Sequence, residues 1–421
     1  MMKEERSPSL QNASVGEKEW DQIGNYQEEP ALEPSAEGTS SKPKELSMEY
    51  IYAHAKQCRQ EKDYMQEAFW YEQLLMYGDV RKGWLETTQY GCGVAYPDAG
   101  EKEDALYWLE KAARLGHKGA KLRCGLVLTK SQDALEQAKA LYWLEQVAED
   151  GDHKLQNLCA DMNYQGKGTA VNYEKALYWY EKAAAKGNID SMYACGMMYY
   201  KGESTKADPV RALIWLEKAA DGNHAKAQCQ CGWMYQRGEG CGQDLEKALR
   251  LYEAAGSNGH TGALNQCGRM YQRGEGCRQD PAKALQMYEK AAGKEHVQAQ
   301  LQSAWMYFNG EGTGKDYQKA LYWFEKAAWK GETEAWLMCG RMYFQGVGTE
   351  KDYAKSFFWF EKVLSHPDDP GKAEAKFVCG SLYCAGEGVE KDRKKGRRLI
   401  KEAADQGYKP AKAARMLKFI F

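Results

Sequence analysis

No stretch of the chain approaches 18 uninterrupted apolar residues, so a membrane-spanning helix is not expected. The N-terminus, MMKEERSPSL, lacks the apolar core of a signal peptide. Charge of one sign is also missing, because 58 basic residues stand against 60 acidic ones. No global field draws the molecule to nucleic acid or anionic lipid, and neither is an expected partner. Together these absences point to a cytoplasmic protein that does not insert into membranes.

What is present is a period. The stretch KALYWYEKAA at 175–184 returns every 36 residues, with its alanine at Ala176, Ala212, Ala248, Ala284 and Ala320 and the frame reaching Ser356. Successive intervals without an insertion mean that each unit holds an equivalent place in a one-dimensional stack. Small slips carry the frame back to Ala140, Ala105 and a degenerate unit around Glu67, and four extra residues carry it forward to Gly396. The count is about ten units, and residues 48–421 are read as one all-α solenoid.

Each unit reads as two antiparallel helices. On the first, Ala227, Cys231, Met234 and Tyr235 share a face by their spacing. A glycine-rich turn follows, and then Asn172, Asp208, Asp244, Asp280, Asp316, Asp352 or Asp392 stands where the second helix needs an N-cap. On that helix Ala176, Trp179, Tyr180, Ala183 and Ala184 face inward, while Glu181 and Lys182 are read as pointing to water. Gly116, Gly151, Gly187, Gly222, Gly259, Gly331 and Gly407 are expected to close it in a left-handed conformation. Residues 1–47 differ, being rich in Glu, Pro, Ser and Gly, and read as a disordered acidic tail. The last stretch, YKPAKAARMLKFIF, reads as a capping helix.

Eight of the thirteen cysteines, Cys92, Cys124, Cys159, Cys195, Cys231, Cys267, Cys339 and Cys379, fill one slot of the repeat. One cysteine per unit has no partner within the unit, so a small buried apolar role is favoured over a disulfide framework. Cys229 and Cys231 form a CxC pair without a second ligand pair at metal-site spacing. No metal and no cofactor is expected.

The pattern from Ala227 to Gly259, AQCQCGWMYQRGEGCGQDLEKALRLYEAAGSNG, resembles the Sel-like repeat family, a tetratricopeptide-like class of α-solenoid. The resemblance covers roughly 48–415. It implies a right-handed superhelix whose first helices line a concave side, in proteins that act as adaptors and scaffolds for other proteins. One branch of that family is secreted and cysteine-rich, with a cysteine on the first helix bonded to one on the second, and some of its members were described as binding or hydrolysing β-lactams. This chain departs from that branch, carrying alanines such as Ala184, Ala220 and Ala292 where the second cysteine belongs. A β-lactam enzyme is the alternative reading.

The paired glycines of the turns, such as Gly238 and Gly240, have no strand before them and no GK[ST] after, so a phosphate loop is not indicated. His117, His224, His260 and His296 share a slot just after the second helix. Stacked helices lie roughly 8–10 Å apart, too far for one ion to bridge equivalent positions, and a polar turn role is expected. No catalytic set emerges and no small-molecule substrate is expected. Function in a repeat array is sought where units differ. The slot two residues after the repeat cysteine holds Trp233, Arg269, Trp305 and Arg341 in successive units, with Arg237 and Arg273 one turn on. Tryptophan and arginine dominate binding hot spots. These six residues are the expected binding site, on the concave groove, for a protein or an extended peptide with acidic residues.

Overall fold

The computed structural model describes residues 48–61, 64–76, 89–92, 94, 102–366 and 370–416. The expected acidic tail lies outside them, as do the last five residues beyond the capping helix. Among the described residues every regular element is a helix. Contacts divide the chain between Ser191 and Met192 into two compact units. The first holds α1 (Met48–Glu61), α2 (Tyr64–Met76), α3 (Lys102–Leu115), α4 (Lys118–Leu128), α5 (Ala134–Ala148), α6 (His153–Gln165) and α7 (Tyr173–Ala185). With α8 (Ile189–Lys201) the chain passes into the second, which continues through α9 (Pro209–Asp221), α10 (Ala225–Arg237), α11 (Leu245–Ser257), α12 (Thr261–Arg273), α13 (Pro281–Gly293) and α14 (Val297–Asn309). It ends with α15 (Tyr317–Trp329), α16 (Thr333–Gln345), α17 (Tyr353–Ser365), α18 (Lys372–Ala385), α19 (Arg393–Asp405) and α20 (Lys409–Met416). From α9 onward each helix packs on the one that follows it.

Capping chemistry sets where helices begin. Asn172, Asp208, Asp244, Asp280, Asp316, Asp352 and Asp392 each accept, through a side-chain oxygen, the backbone N–H three residues on at 2.8–3.0 Å. Pro209 and Pro281 follow at the first helical position, where an N–H would lack a partner anyway. The histidine slot has a more specific task than a polar turn. Nδ1 of His117, His224, His260 and His296 accepts the N–H of Ala120, Ala227, Ala263 and Ala299 at 3.0–3.2 Å, so the imidazole is the N-cap of the first helix. Asn188 does the same for Ser191.

The glycine expectation needs correction at two places. Gly116, Gly187, Gly259, Gly331 and Gly407 are left-handed, but Gly151 and Gly222 are not. Gly222 stays near the right-handed region at φ −77 and Asn223 takes the turn at φ 63, a conformation asparagine tolerates.

The interior is built as the periodicity predicts. All eight repeat-slot cysteines are fully buried, beside Ala227, Met234, Ala248 and Tyr252 and their equivalents. Gly268 on α12 lets the Tyr288 ring of α13 lie directly on the helix backbone, because a Cβ there would overlap the ring at 2.6 Å.

The reading of the Glu181 and Lys182 slots as a wholly solvated face is also corrected. Glu217 of α9 accepts the Tyr235 hydroxyl of α10 at 2.6 Å and the Lys247 amine of α11 at 2.8 Å. Glu253, Glu289 and Glu325 take Tyr271, Tyr307 and Tyr343 in the same way. A phenol on the next first helix seeks an acceptor at the half-buried seam, and the glutamate is the group within reach. Burial alone would raise the Glu217 carboxyl, but the bonds from Lys247 and Tyr235 hold it below its ordinary range.

Candidate functional site

The first helices of the second unit carry the residues singled out by sequence. Trp233 on α10 is half-buried, its ring edge-on to Tyr200 at 5.8 Å with the Arg237 guanidinium 4.8 Å above it. Trp305 on α14 is half-buried too. It stands edge-on to Phe324 at 5.2 Å and Phe308 at 5.7 Å, and its indole N–H donates to Glu334 at 2.9 Å. Both rings pack on the core with one side and leave part of their surface open. These tryptophans, expected from sequence as binding residues, thus also pack on the core.

The four arginines differ in a way their sequence slots do not reveal. Arg237 donates to Glu239 at 2.7 Å and Arg273 to Glu275 at 3.5 Å, each carboxylate lying in the turn that follows the helix. Those glutamates also receive a group from the preceding first helix, the Tyr200 hydroxyl at 3.0 Å and the Gln236 amide at 3.1 Å. Arg341 on α16 makes a two-pronged bond to Glu374 of α18, Nε at 2.6 Å and Nη2 at 2.5 Å. Arg269 on α12 is half-buried and donates only to the Gln266 side chain, at 3.4 Å. Among the described residues no carboxylate lies within ion-pair distance of it. Of the six residues, only Trp233 and Arg237 touch each other; the rest meet neighbours outside the set.

A cleft of about 360 Å³ opens beside Trp233, lined by Met197, Tyr200, Cys229, Gln230, His260 and Gln266 of α8, α10 and α12 and their caps. Gln266 joins this cleft to Arg269. Sequence reasoning weighed Cys229 and His260 only as a weak metal pair and a turn histidine, and passed over Tyr200, Gln230 and Gln266. The signal for Gln230 lay in its place three residues before Trp233 on the same helix face.

No disulfide joins the thirteen cysteines, and burial pushes the thiols of Cys124, Cys229, Cys231, Cys267 and Cys379 up to about 12. A thiol so far from ionising is a poor nucleophile and a poor metal ligand at neutral pH. Among the described residues no three His, Cys, Asp or Glu side chains are grouped to hold a metal ion. No helix among them is long and apolar enough to cross a membrane.

A family model described as the Sel1 repeat matches nine segments, 93–117, 131–152, 154–188, 189–224, 225–260, 261–296, 297–331, 335–363 and 373–408. The chain belongs to the Sel1 repeat family. Two solved structures share its fold. One is c5321, a protective antigen of uropathogenic Escherichia coli strains with an SLR fold, 26% identical over 87% of this chain and 78% of that one, with a TM-score of 0.57. The other is a Sel1 repeat protein from Oxalobacter formigenes, 26% identical over 80% of this chain and 95% of that one, with a TM-score of 0.58. Among curated proteins no sequence matches. The fold is thus an α-solenoid of Sel1 helix pairs.

Proposed function

We propose that this Sel1 repeat protein is a cytoplasmic, non-catalytic adaptor that holds a protein or peptide against its row of first helices. The family supports the general role, since such solenoids typically mediate protein–protein interaction. The observation that carries the finer reading is Arg269. A half-buried guanidinium without a carboxylate is an expensive group to leave unmet, and this one adjoins an apolar cleft with tryptophans in the repeats before and after. A ligand carboxylate satisfies it with two parallel hydrogen bonds, while an apolar side chain of the same ligand fills the cleft beside Trp233. The partner is accordingly an extended acidic segment. Trp233, Arg269 and Trp305 are its principal contacts; Arg237, Arg273 and Arg341, already engaged by Glu239, Glu275 and Glu374, are secondary.

The test is affinity capture from the source cell with tagged wild type, Arg269→Ala and Trp305→Ala in parallel. Partners specific to the first-helix row should fall at least about tenfold with Arg269→Ala, the scale of a hot-spot loss, with the melting temperature nearly unchanged. Retention of every captured protein by both folded variants would refute the assignment.

A further inference from the structure

The near-zero net charge conceals a strongly basic helix. α19, of sequence RKKGRRLIKEAAD, exposes Arg393, Lys394, Lys395, Arg397, Arg398 and Lys401. Two of these depart from what every earlier repeat of the main frame carries at the same place. Arg397 stands where Leu213, Leu249, Leu285, Leu321 and Phe357 stand, and Lys401 where Glu217, Glu253, Glu289, Glu325 and Glu361 stand. The fold uses few of these charges. Lys395 donates to the Tyr383 hydroxyl and Arg398 reaches Glu402 at 3.8 Å, but among the described residues Arg393, Lys394, Arg397 and Lys401 have no carboxylate within ion-pair distance. Their order along the helix is also unfavourable. The first turn holds three cations at the positive end of the helix dipole, and the acids Glu402 and Asp405 lie at the negative end. Four cations that meet no described carboxylate, on a helix whose charge order opposes its dipole, call for an external anion.

The same side continues onto α17 and α15, the second helices of the two preceding repeats. Leu399 of α19 and Phe357 of α17 pack on one core cluster, and Trp329 of α15 meets Phe358 of α17 at 5.7 Å. This strip exposes Tyr322, Trp329 and Phe358, with Trp329 68% exposed. The Trp329 slot holds Arg114, Glu149, Ala185, Asp221, Ser257, Gly293, Ser365 and Asp405 in other repeats, none of them aromatic. Lys326 stands over Tyr322 at 5.6 Å and Lys362 over Phe358 at 5.4 Å, while the neighbouring Lys330 pairs with Glu295 at 2.8 Å and Lys319 and Lys355 turn toward Tyr307 and Tyr343 of the first helices.

We propose that the second-helix side of α15, α17 and α19 adsorbs to an anionic lipid surface. Unpaired Lys and Arg on one helix supply the attraction to headgroup phosphates, and exposed Trp, Tyr and Phe are the side chains that settle at the boundary between headgroups and acyl chains. The composition discriminates between partners. Protein interfaces are depleted of lysine, whereas lysine interleaved with aromatics suits a lipid interface. The surface shares no residue with the first-helix row, so the two can be occupied independently.

The experiment is co-sedimentation of the full chain with phosphatidylcholine vesicles and with the same vesicles containing phosphatidylglycerol. Wild type should bind the anionic vesicles, not the neutral ones, and binding should weaken as salt rises. The double variant Arg397→Leu, Lys401→Glu introduces residue types that the other repeats already carry there, so it should fold; its partition should fall at least about tenfold. Arg393→Gln with Lys394→Gln, remote from any core contact, should weaken binding in the same direction, and Trp329→Ser should do so to a smaller extent. Equal binding to both vesicle types, no binding to the anionic ones, or unchanged binding by both charge variants would overturn the proposal. So would retention of a single-stranded oligonucleotide by α19 without vesicle binding, which would assign the helix to nucleic acid.

Discussion

The arginines of the first helices and the cations of α19 are the same chemistry put to opposite uses. Arg237, Arg273 and Arg341 each close on a glutamate supplied by the following turn or the next repeat. Arg393, Lys394, Arg397 and Lys401 close on nothing among the described residues. Arg237 and Arg273 recur one period apart, and their partners Glu239 and Glu275 recur with them. A charge that breaks the period has no such partner. In α19 the unpartnered cations stand where the repeat pattern fails, whereas Arg269 is unpartnered in a slot that Arg341 shares.

The sharpest test of the structural half lies in the turns, where the repeat is strictest. Gly276 has φ +73, and a Cβ there would run into the Leu245 carbonyl of the preceding repeat. Gly314, in the next turn, has open space around it. Gly276→Ala should cost about 2–4 kcal/mol in urea unfolding, combining left-handed strain with backbone overlap. Gly314→Ala should stay within about 0.5 kcal/mol of wild type. Equal costs for the two would mean that the turn glycines do not mark the contact between repeats.

Much of this was legible in the sequence because the period repeats each local signal many times. The seven Asx caps, the buried cysteine slot and the paired helices all follow from spacing and known side-chain behaviour. The Tyr235, Glu217 and Lys247 seam was not legible, since it joins residues of two repeats whose contact depends on how the helices stack. The carboxylates that occupy Arg237 and Arg341 were hidden for the same reason. Arg269 and Arg341 occupy one slot and look identical in sequence, yet seven residues before the next repeat's slot residue stands Gln298 in one case and Glu374 in the other, and only Arg341 finds a carboxylate. The basic run of α19 was visible as letters, but a balanced total charge obscured it.

A second contrast compares cations directly. Arg341→Ala removes both prongs from Glu374, whose side chain is 18% exposed, and should destabilise the protein by about 1–2 kcal/mol. Lys394→Ala removes an unpaired cation from the wrong end of a helix and should leave stability unchanged or raise it by about 0.3 kcal/mol. Chemical denaturation of the two single variants decides the matter. A loss for Lys394→Ala as large as that for Arg341→Ala would show that α19 depends on its cations, and the proposed division between used and available charge would not hold.

The smallest expected effect concerns the histidine caps. Burial, reinforced by the charges of Lys226 and His296, lowers the His260 pKa below its ordinary value, and the neutral ring accepts the Ala263 N–H through Nδ1 at 3.0 Å. The unfolded chain binds the proton more readily. The cap's contribution is thus complete above the unfolded value of about 6.5 and is lost as pH falls through the folded one, because a protonated Nδ1 no longer accepts. His260→Asn keeps a capping oxygen that does not titrate. Urea midpoints for wild type should therefore fall between pH 7 and pH 5 by more than those of His260→Asn, the difference amounting to about 1 kcal/mol or less, the worth of one cap. Identical pH dependence in the two proteins would show that the cap holds with its ring protonated, and that the histidine slot could be filled by any residue able to make the turn.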